Sequence, residues 1–132
     1  MLFFLAFALT ACGTKEKAKT EVEAEAFART EFTERLENYF EYEPLKAGRA
    51  SQFLIHLTDL TDGSPVEKAD VTLTVRSRSG AEVGQTNARI GKVTGIYVAD
   101  LTVNSRGDYD IEFHIKNDKL DERLPLKDFQ VE

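Results

Sequence analysis

His56 and His114 are the two imidazoles of this 132-residue chain, and their spacing invites a question about metal chemistry. His56 stands between Ile55 and Leu57, and His114 between Phe113 and Ile115. On a strand, such alternation turns each imidazole away from the interior. An outward imidazole can ligate a soft or borderline ion such as copper or zinc, and two on adjoining strands could share one. The alternative is a pair of rim histidines, each bonded to a nearby carboxylate or backbone group. Thiolate and thioether support is lacking, because the one Met is Met1 and the one Cys is Cys12; any copper or zinc contact would therefore be transient. Asp59, Asp62 and Asp70 surround the turn LTDLTDGSP. Their spacing is not that of an EF-hand and no bidentate Glu follows, so they suit Asx turns better than calcium. Ser51 and His56 lie five residues apart on a predicted strand, hence on opposite faces, and cannot form a dyad locally. With no Gly-rich phosphate loop and no recognisable carboxylate pair, the chain reads as non-enzymatic. Arg106-Gly107-Asp108 is best explained by a turn, with Gly107 preceding the strand at Tyr109.

The lone cysteine poses a separate problem, since it directly follows an apolar run at the N-terminus, FFLAFALTAC. Residues 2–11 are too short to span a bilayer, which takes about 20 apolar residues, but have the length of a signal-peptide hydrophobic region. Leu9-Thr10-Ala11-Cys12 resembles the lipobox of bacterial lipoproteins. That resemblance implies recognition of Leu9, Thr10 and Ala11 by the lipoprotein signal peptidase and lipid attachment at Cys12. In such lipoproteins the Cys carries a diacylglycerol and a further acyl chain, and two or more chains anchor stably, so the resemblance implies a membrane partner held through lipid and not spanned. Gly13 stands where an Asp is linked to inner-membrane retention, which by the same analogy points to the outer membrane. No Lys or Arg precedes the apolar run, so the true start of the protein is expected upstream of Met1.

Beyond Cys12 the composition turns to Lys, Glu, Ala and Thr, as in TKEKAKTEVEAEAFAR, which cannot build a core and reads as a solvated tether. The expected organisation is a signal peptide over 1–11, a lipidated Cys and charged tether over 12–36, and a folded domain over 37–132. A net charge of -6 with no basic stripe argues against a nucleic-acid partner.

The elements that must position the histidines have a period of two. Phe53, Ile55 and Leu57 alternate with Gln52, Leu54 and His56; Val71, Leu73 and Val75 with Thr72 and Thr74; and Tyr109, Ile111, Phe113 and Ile115 with Asp110, Glu112, His114 and Lys116. Further strands are expected at Glu37–Tyr42, Glu82–Thr86, Gly95–Val103 and Leu124–Val131, separated by PLKAGRAS, TDGSPVEKA, RSRSG and NSRGD. Seven short strands in about 95 residues, with no helical pattern between them, predict an all-β, immunoglobulin-like antiparallel β-sandwich. Gly107-Asp108-Tyr109 has the form of a tyrosine corner. The expected inner faces are Phe53, Ile55, Leu57, Val71, Leu73, Val75, Ile96, Val98, Ile111, Phe113 and Ile115.

Residues 30–75 carry Asn38-Tyr39-Phe40-Glu41-Tyr42, Pro44-Leu45-Lys46-Ala47-Gly48, Phe53-Leu54-Ile55-His56-Leu57-Thr58 and Gly63-Ser64-Pro65-Val66 in that order. This stretch resembles the N-terminal, immunoglobulin-like (YtkA-like) domain of periplasmic adaptor subunits from heavy-metal resistance-nodulation-division (RND) efflux pumps. The likeness continues through GKVTGIYVADLTVNSRGDYDIEFHI. Full adaptors go on to barrel-sandwich, α-hairpin and β-barrel domains, so the resemblance implies an adaptor fragment or a free-standing lipoprotein built from that one domain. The expected function is a lipid-anchored, periplasm-facing accessory module of a heavy-metal efflux system, with pump or adaptor proteins as partners. A general cell-envelope docking module for protein or glycan, with no metal role, is the alternative.

Overall fold

The computed structural model describes residues 26–132. Ten strands follow in order: β1 Phe27–Phe32, β2 Leu36–Tyr42, β3 Ala50–Asp59, β4 Ser64–Pro65, β5 Asp70–Ser77, β6 Glu82–Asn87, β7 Arg89–Ile90, β8 Ile96–Thr102, β9 Gly107–Lys116 and β10 Asp121–Val131. They form two antiparallel sheets, the first in the order β1-β2-β3-β8-β7 with β4 on β3, the second in the order β10-β9-β5-β6. Apart from β1 and β4, this is the A-B-E-D and G-F-C-C′ order of an immunoglobulin-like sandwich. The expected fold class is therefore the one observed, with ten strands in place of about seven. Two of the additions, β4 and β7, are two residues long and too short to leave a periodic signal.

β1 is the third addition, and it occupies residues assigned by sequence to the tether. Its composition, FARTEF, has no alternation of apolar and polar residues. What holds it is polar and aromatic. Arg29 lies 4.5 Å from the centroid of the Phe129 ring, and its Nη1 donates to the Lys127 carbonyl at 2.8 Å. A β-bulge between Leu126 and Phe129 places one extra residue in β10, with Asp128 at φ 70°. The bulge leaves the Lys127 carbonyl outside the β9–β10 ladder, where Arg29 takes it. One side chain thus ties the edge of the first sheet to the edge of the second.

Apolar residues of the two inner faces meet in a core with five aromatic rings at its centre. Phe40 on β2 is fully buried and stands 4.8 Å from Phe113 on β9, 6.0 Å from Phe53 on β3 and 6.3 Å from Phe129 on β10. Tyr42 stacks on Phe53 at 5.0 Å. After β2 the chain crosses to the second sheet: Leu45 makes a parallel bridge to Val131, and the Ala47 N–H donates to the Glu132 carbonyl at 2.8 Å. The tyrosine corner forms as expected, the Tyr109 hydroxyl donating to the Ser105 carbonyl at 2.9 Å. Gly107, at φ 145°, lets the chain turn beside the Tyr109 ring, 3.6 Å from where a Cβ would stand.

In β8 the assignment of faces differs from expectation. Tyr97, Ala99 and Leu101 point inward, while Ile96 and Val98 face out and are only half-buried. The reason is Tyr97, whose phenol can enter the core because it donates to the Val66 carbonyl at 2.8 Å and accepts from the Ala69 N–H at 3.0 Å. A satisfied hydroxyl removes the cost of burying the ring, and the larger side chain then takes the inside.

Asn38 is the opposite case. It is fully buried on the inner face of β2, and neither its Oδ1 nor its Nδ2 has a hydrogen-bond partner. Replacing both polar atoms by an apolar group of similar shape removes a desolvation cost of about 1–3 kcal/mol. Asn38→Leu is accordingly expected to raise the stability by that amount, read as an increase in the urea unfolding midpoint at unchanged slope.

Candidate functional site

His56 and His114 both point outward, as their alternation requires, but into different solvent. His56 is on β3 of the first sheet and His114 on β9 of the second. The sheets stack about 10 Å apart between them, so the shared metal site that the sequence allowed does not form. The physical reason is topological: the second and sixth main strands of this sandwich fall in opposite sheets. Among the described residues, no group of three or more His, Cys, Asp or Glu side chains is placed to hold a metal ion.

Around His114 the outer face is polar and internally paired. Asn87, Thr72, His114 and Arg123 form one row across β6, β5, β9 and β10, and Gln85, Thr74, Glu112 and Pro125 the next. His114 Nε2 lies 2.6 Å from Asp121 Oδ1. Glu112 sits between Arg76 at 3.5 Å and Arg123 at 3.6 Å, and Thr72 Oγ1 donates to Asn87 at 3.1 Å. This is the rim-histidine arrangement, a surface whose polar groups answer one another.

Around His56 the arrangement is different. Thr30, Tyr39, His56 and Ile96 form one row across β1, β2, β3 and β8, and Ala28, Glu41, Leu54, Val98 and Arg89 the next. Tyr39, Leu54, His56, Ile96 and Val98 thus make a continuous, half-buried strip of aromatic and aliphatic side chains. Its rim carries charge: Arg89 Nη1 donates to Asp100 at 2.9 Å, and Glu41 stands beside Leu54. The Tyr39 and His56 rings are 5.3 Å apart. Burial, and then the Glu41 charge, push the Tyr39 phenol above its ordinary pKa. His56 Nε2 is buried and unpartnered. Leu54 was legible as an outward residue from its alternation with Phe53 and Ile55, whereas Ile96 and Val98 were not, because β-branched residues carry the same signal on either side of a strand.

The carboxylates of the LTDLTDGSP turn do not gather. Asp59 Oδ1 accepts from the Thr61 hydroxyl at 2.6 Å and the Thr61 N–H at 3.0 Å. Asp62 Oδ1 does the same with Ser64, at 2.6 and 3.0 Å. Asp70 opens β5, opposite Lys116. Each of the first two closes its own turn, as Asx-turn residues do. Ser51 points inward and its Oγ donates to the Pro44 carbonyl at 2.9 Å, on the face opposite His56. Leu9, Thr10, Ala11 and Cys12 lie outside the described residues. Among the described residues no helix is long and apolar enough to cross a membrane.

No family model and no curated protein matches the chain. Among solved structures it is similar to one described as the ZirS C-terminal domain, at 14% identity over 98% of this chain and 94% of that one, with a TM-score of 0.46.

The separation of the histidines has a direct consequence for metal binding. In an amide NMR titration with Zn(II), Cu(II) or Ag(I), shifts near His56 and near His114 are expected to saturate independently, and His56→Ala is expected to leave the His114 response unchanged. A joint response lost in His56→Ala would contradict the geometry.

Hydrogen bonds from Thr61, Ser64 and His114 hold Asp59, Asp62 and Asp121, respectively, below the ordinary carboxyl pKa. A depressed carboxyl contributes stability that is fully present above its unfolded pKa and is lost as pH falls through its folded one. Urea midpoints are therefore expected to decline as the pH drops below about 4, with a shallower decline in Asp59→Asn and Asp121→Asn.

Proposed function

We propose that the protein is a non-catalytic docking module of the bacterial cell envelope, held at the membrane by lipid on Cys12 and presenting the outer face of its first sheet to a protein partner. The observation that carries this reading is the asymmetry of the two outer faces. One is a set of answered polar groups; the other is the strip of Tyr39, Leu54, His56, Ile96 and Val98 with a charged rim. An apolar centre ringed by charge is the usual composition of a protein interface.

The resemblance over residues 30–75 suggests the setting: a periplasm-facing, adaptor-derived or accessory module of a heavy-metal efflux system, on the outer membrane by the Gly13 analogy. Its contribution there is contact with pump or adaptor proteins. The placement of His56 and His114 in opposite sheets favours the metal-free alternative, a general envelope docking module for protein or glycan, wherever metal handling is at issue.

A photo-crosslinking residue at position 54 is expected to yield a discrete protein adduct in intact cells, and the same residue at Thr72, on the other outer face, is expected to yield none. Adducts from both positions or from neither would argue against the assigned face. Cys12→Ala is expected to move the protein from the membrane fraction to the soluble one.

A further inference from the structure

The two sheets end in edges of unequal character. Near its C-terminal end β10 meets the Leu45–Ala47 segment. β7 is two residues long, and β6 pairs with β5 through an irregularity at Val75/Arg76. β1 is different: six residues in unbroken register with β2, and no strand on its other side among the described residues. An open, regular edge is a template for another strand.

The direction of its free backbone groups follows from the hairpin. The Thr33 N–H donates to the Leu36 carbonyl at 2.8 Å, which makes Thr33 and Leu36 a hydrogen-bonded pair. Such pairs alternate along an antiparallel ladder, so Phe27, Arg29 and Glu31 spend their backbone groups on β2. The N–H and C=O of Ala28, Thr30 and Phe32 then face outward.

We infer that β1 pairs antiparallel with β1 of a second copy of this chain, centred on Thr30. In that register Thr30 faces Thr30 of the second copy, and Ala28 and Phe32 face each other in both directions. Each of these three pairs exchanges two backbone hydrogen bonds, so every outward group of Ala28, Thr30 and Phe32 is used. Phe32, 61% exposed in the single chain, lies beside the small Ala28 of its counterpart. Between the hydrogen-bonded pairs, Arg29 of one copy stands opposite Glu31 of the other, twice.

Charge selects this register over its neighbours. A shift of the centre by one residue toward the N-terminus places Arg29 against Arg29, and a shift the other way places Glu31 against Glu31. Directly opposed like charges destabilise a sheet while opposite ones stabilise it. Arg29 is held in place by the Lys127 carbonyl and by Glu31, at 2.9 Å from Nη2. Inward charges on an edge strand ordinarily discourage pairing; here their alternation penalises the adjacent registers and permits the central one. The pairing uses neither lipid attachment nor the strip of Tyr39, Leu54, His56, Ile96 and Val98, although Ala28 and Thr30 lie at the border of the same face.

The test uses the full chain in native membranes and in detergent, with the wild type, whose one thiol is Cys12, as control. Thr30→Cys is expected to form an intermolecular disulfide readily, because directly opposed Cα atoms in such a pair are about 5.5 Å apart. Ala28→Cys, whose counterpart is Phe32, is expected to cross-link far less. Repeating both with Cys12→Ala separates this result from the state of the lipid. By sedimentation, Glu31→Arg, which leaves Arg29 on the Lys127 carbonyl and over Phe129 but sets like charges against each other twice across the pair, is expected to be monomeric. Thr30→Pro removes only an outward N–H, so the fold should persist by near-UV circular dichroism while the dimer dissociation constant rises at least about tenfold. A monomer at all concentrations, equal cross-linking from positions 28 and 30, or a dimer indifferent to Thr30→Pro would each overturn the proposal. A monomer whose edge is taken by another protein or by the chain's own preceding residues falls under the first of these.

Discussion

Phe40 touches Phe113 across the gap between the sheets, at 4.8 Å between ring centroids, and the alignment of both sheets rests on that contact and the rings around it. A sandwich of this kind in antibody domains is held by a disulfide against a Trp. This chain has one Cys and no Trp, so no internal disulfide can do that work. Rings from β2, β3, β9 and β10 supply the cross-sheet packing instead, each with a large buried area and tilted contacts that favour ring pairs. Because the rings come from strands far apart in sequence, they also fix how one sheet lies against the other.

That alignment explains which polar groups can be buried. Tyr97 enters the core because Val66 and Ala69 lie where its hydroxyl can reach them, and in doing so it turns Ile96 and Val98 outward. Asn38 enters with no such partners and is carried there by the parity of β2, whose inner face also holds Leu36 and Phe40. The Ile96 and Val98 part of the apolar strip is therefore a by-product of a packing decision inside the domain, while Tyr39, Leu54 and His56 face outward by the alternation of β2 and β3. Part of the face proposed for docking thus traces to the hydrogen bonds that complete the core.

The first strand shows how an edge can be added without an apolar signal. Arg29 reaches across the open side of the sandwich to a carbonyl exposed by a bulge in β10 and covers Phe129 with its guanidinium. Guanidinium suits this role because its planar fork donates in a fixed direction while its face lies on a ring. The strand so placed also brings the described chain in at the end of the sandwich where it finishes, with Phe27 and Glu132 lining the same groove. The loop around Asp59 and the loop after Arg89 lie at the other end.

The sequence alone settled the fold class, most of the strands, the tyrosine corner and the outward direction of both histidines, because each follows from local chemistry: period-two alternation, turn residues, and a Gly before a Tyr. It also indicated that Asp59 and Asp62 serve turns, since Asx turns are closed by residues two positions away. Tertiary structure decided the rest. Whether His56 and His114 share a face depends on which sheet each strand joins, and no local pattern encodes that. Whether Ile96 or Tyr97 faces inward depends on a carbonyl thirty-one residues away. Whether Phe27–Phe32 is strand or tether depends on a bulge ninety-eight residues on. Alternation reports that a strand has two faces; only the packing of the sheets determines which neighbours, and which solvent, each face meets.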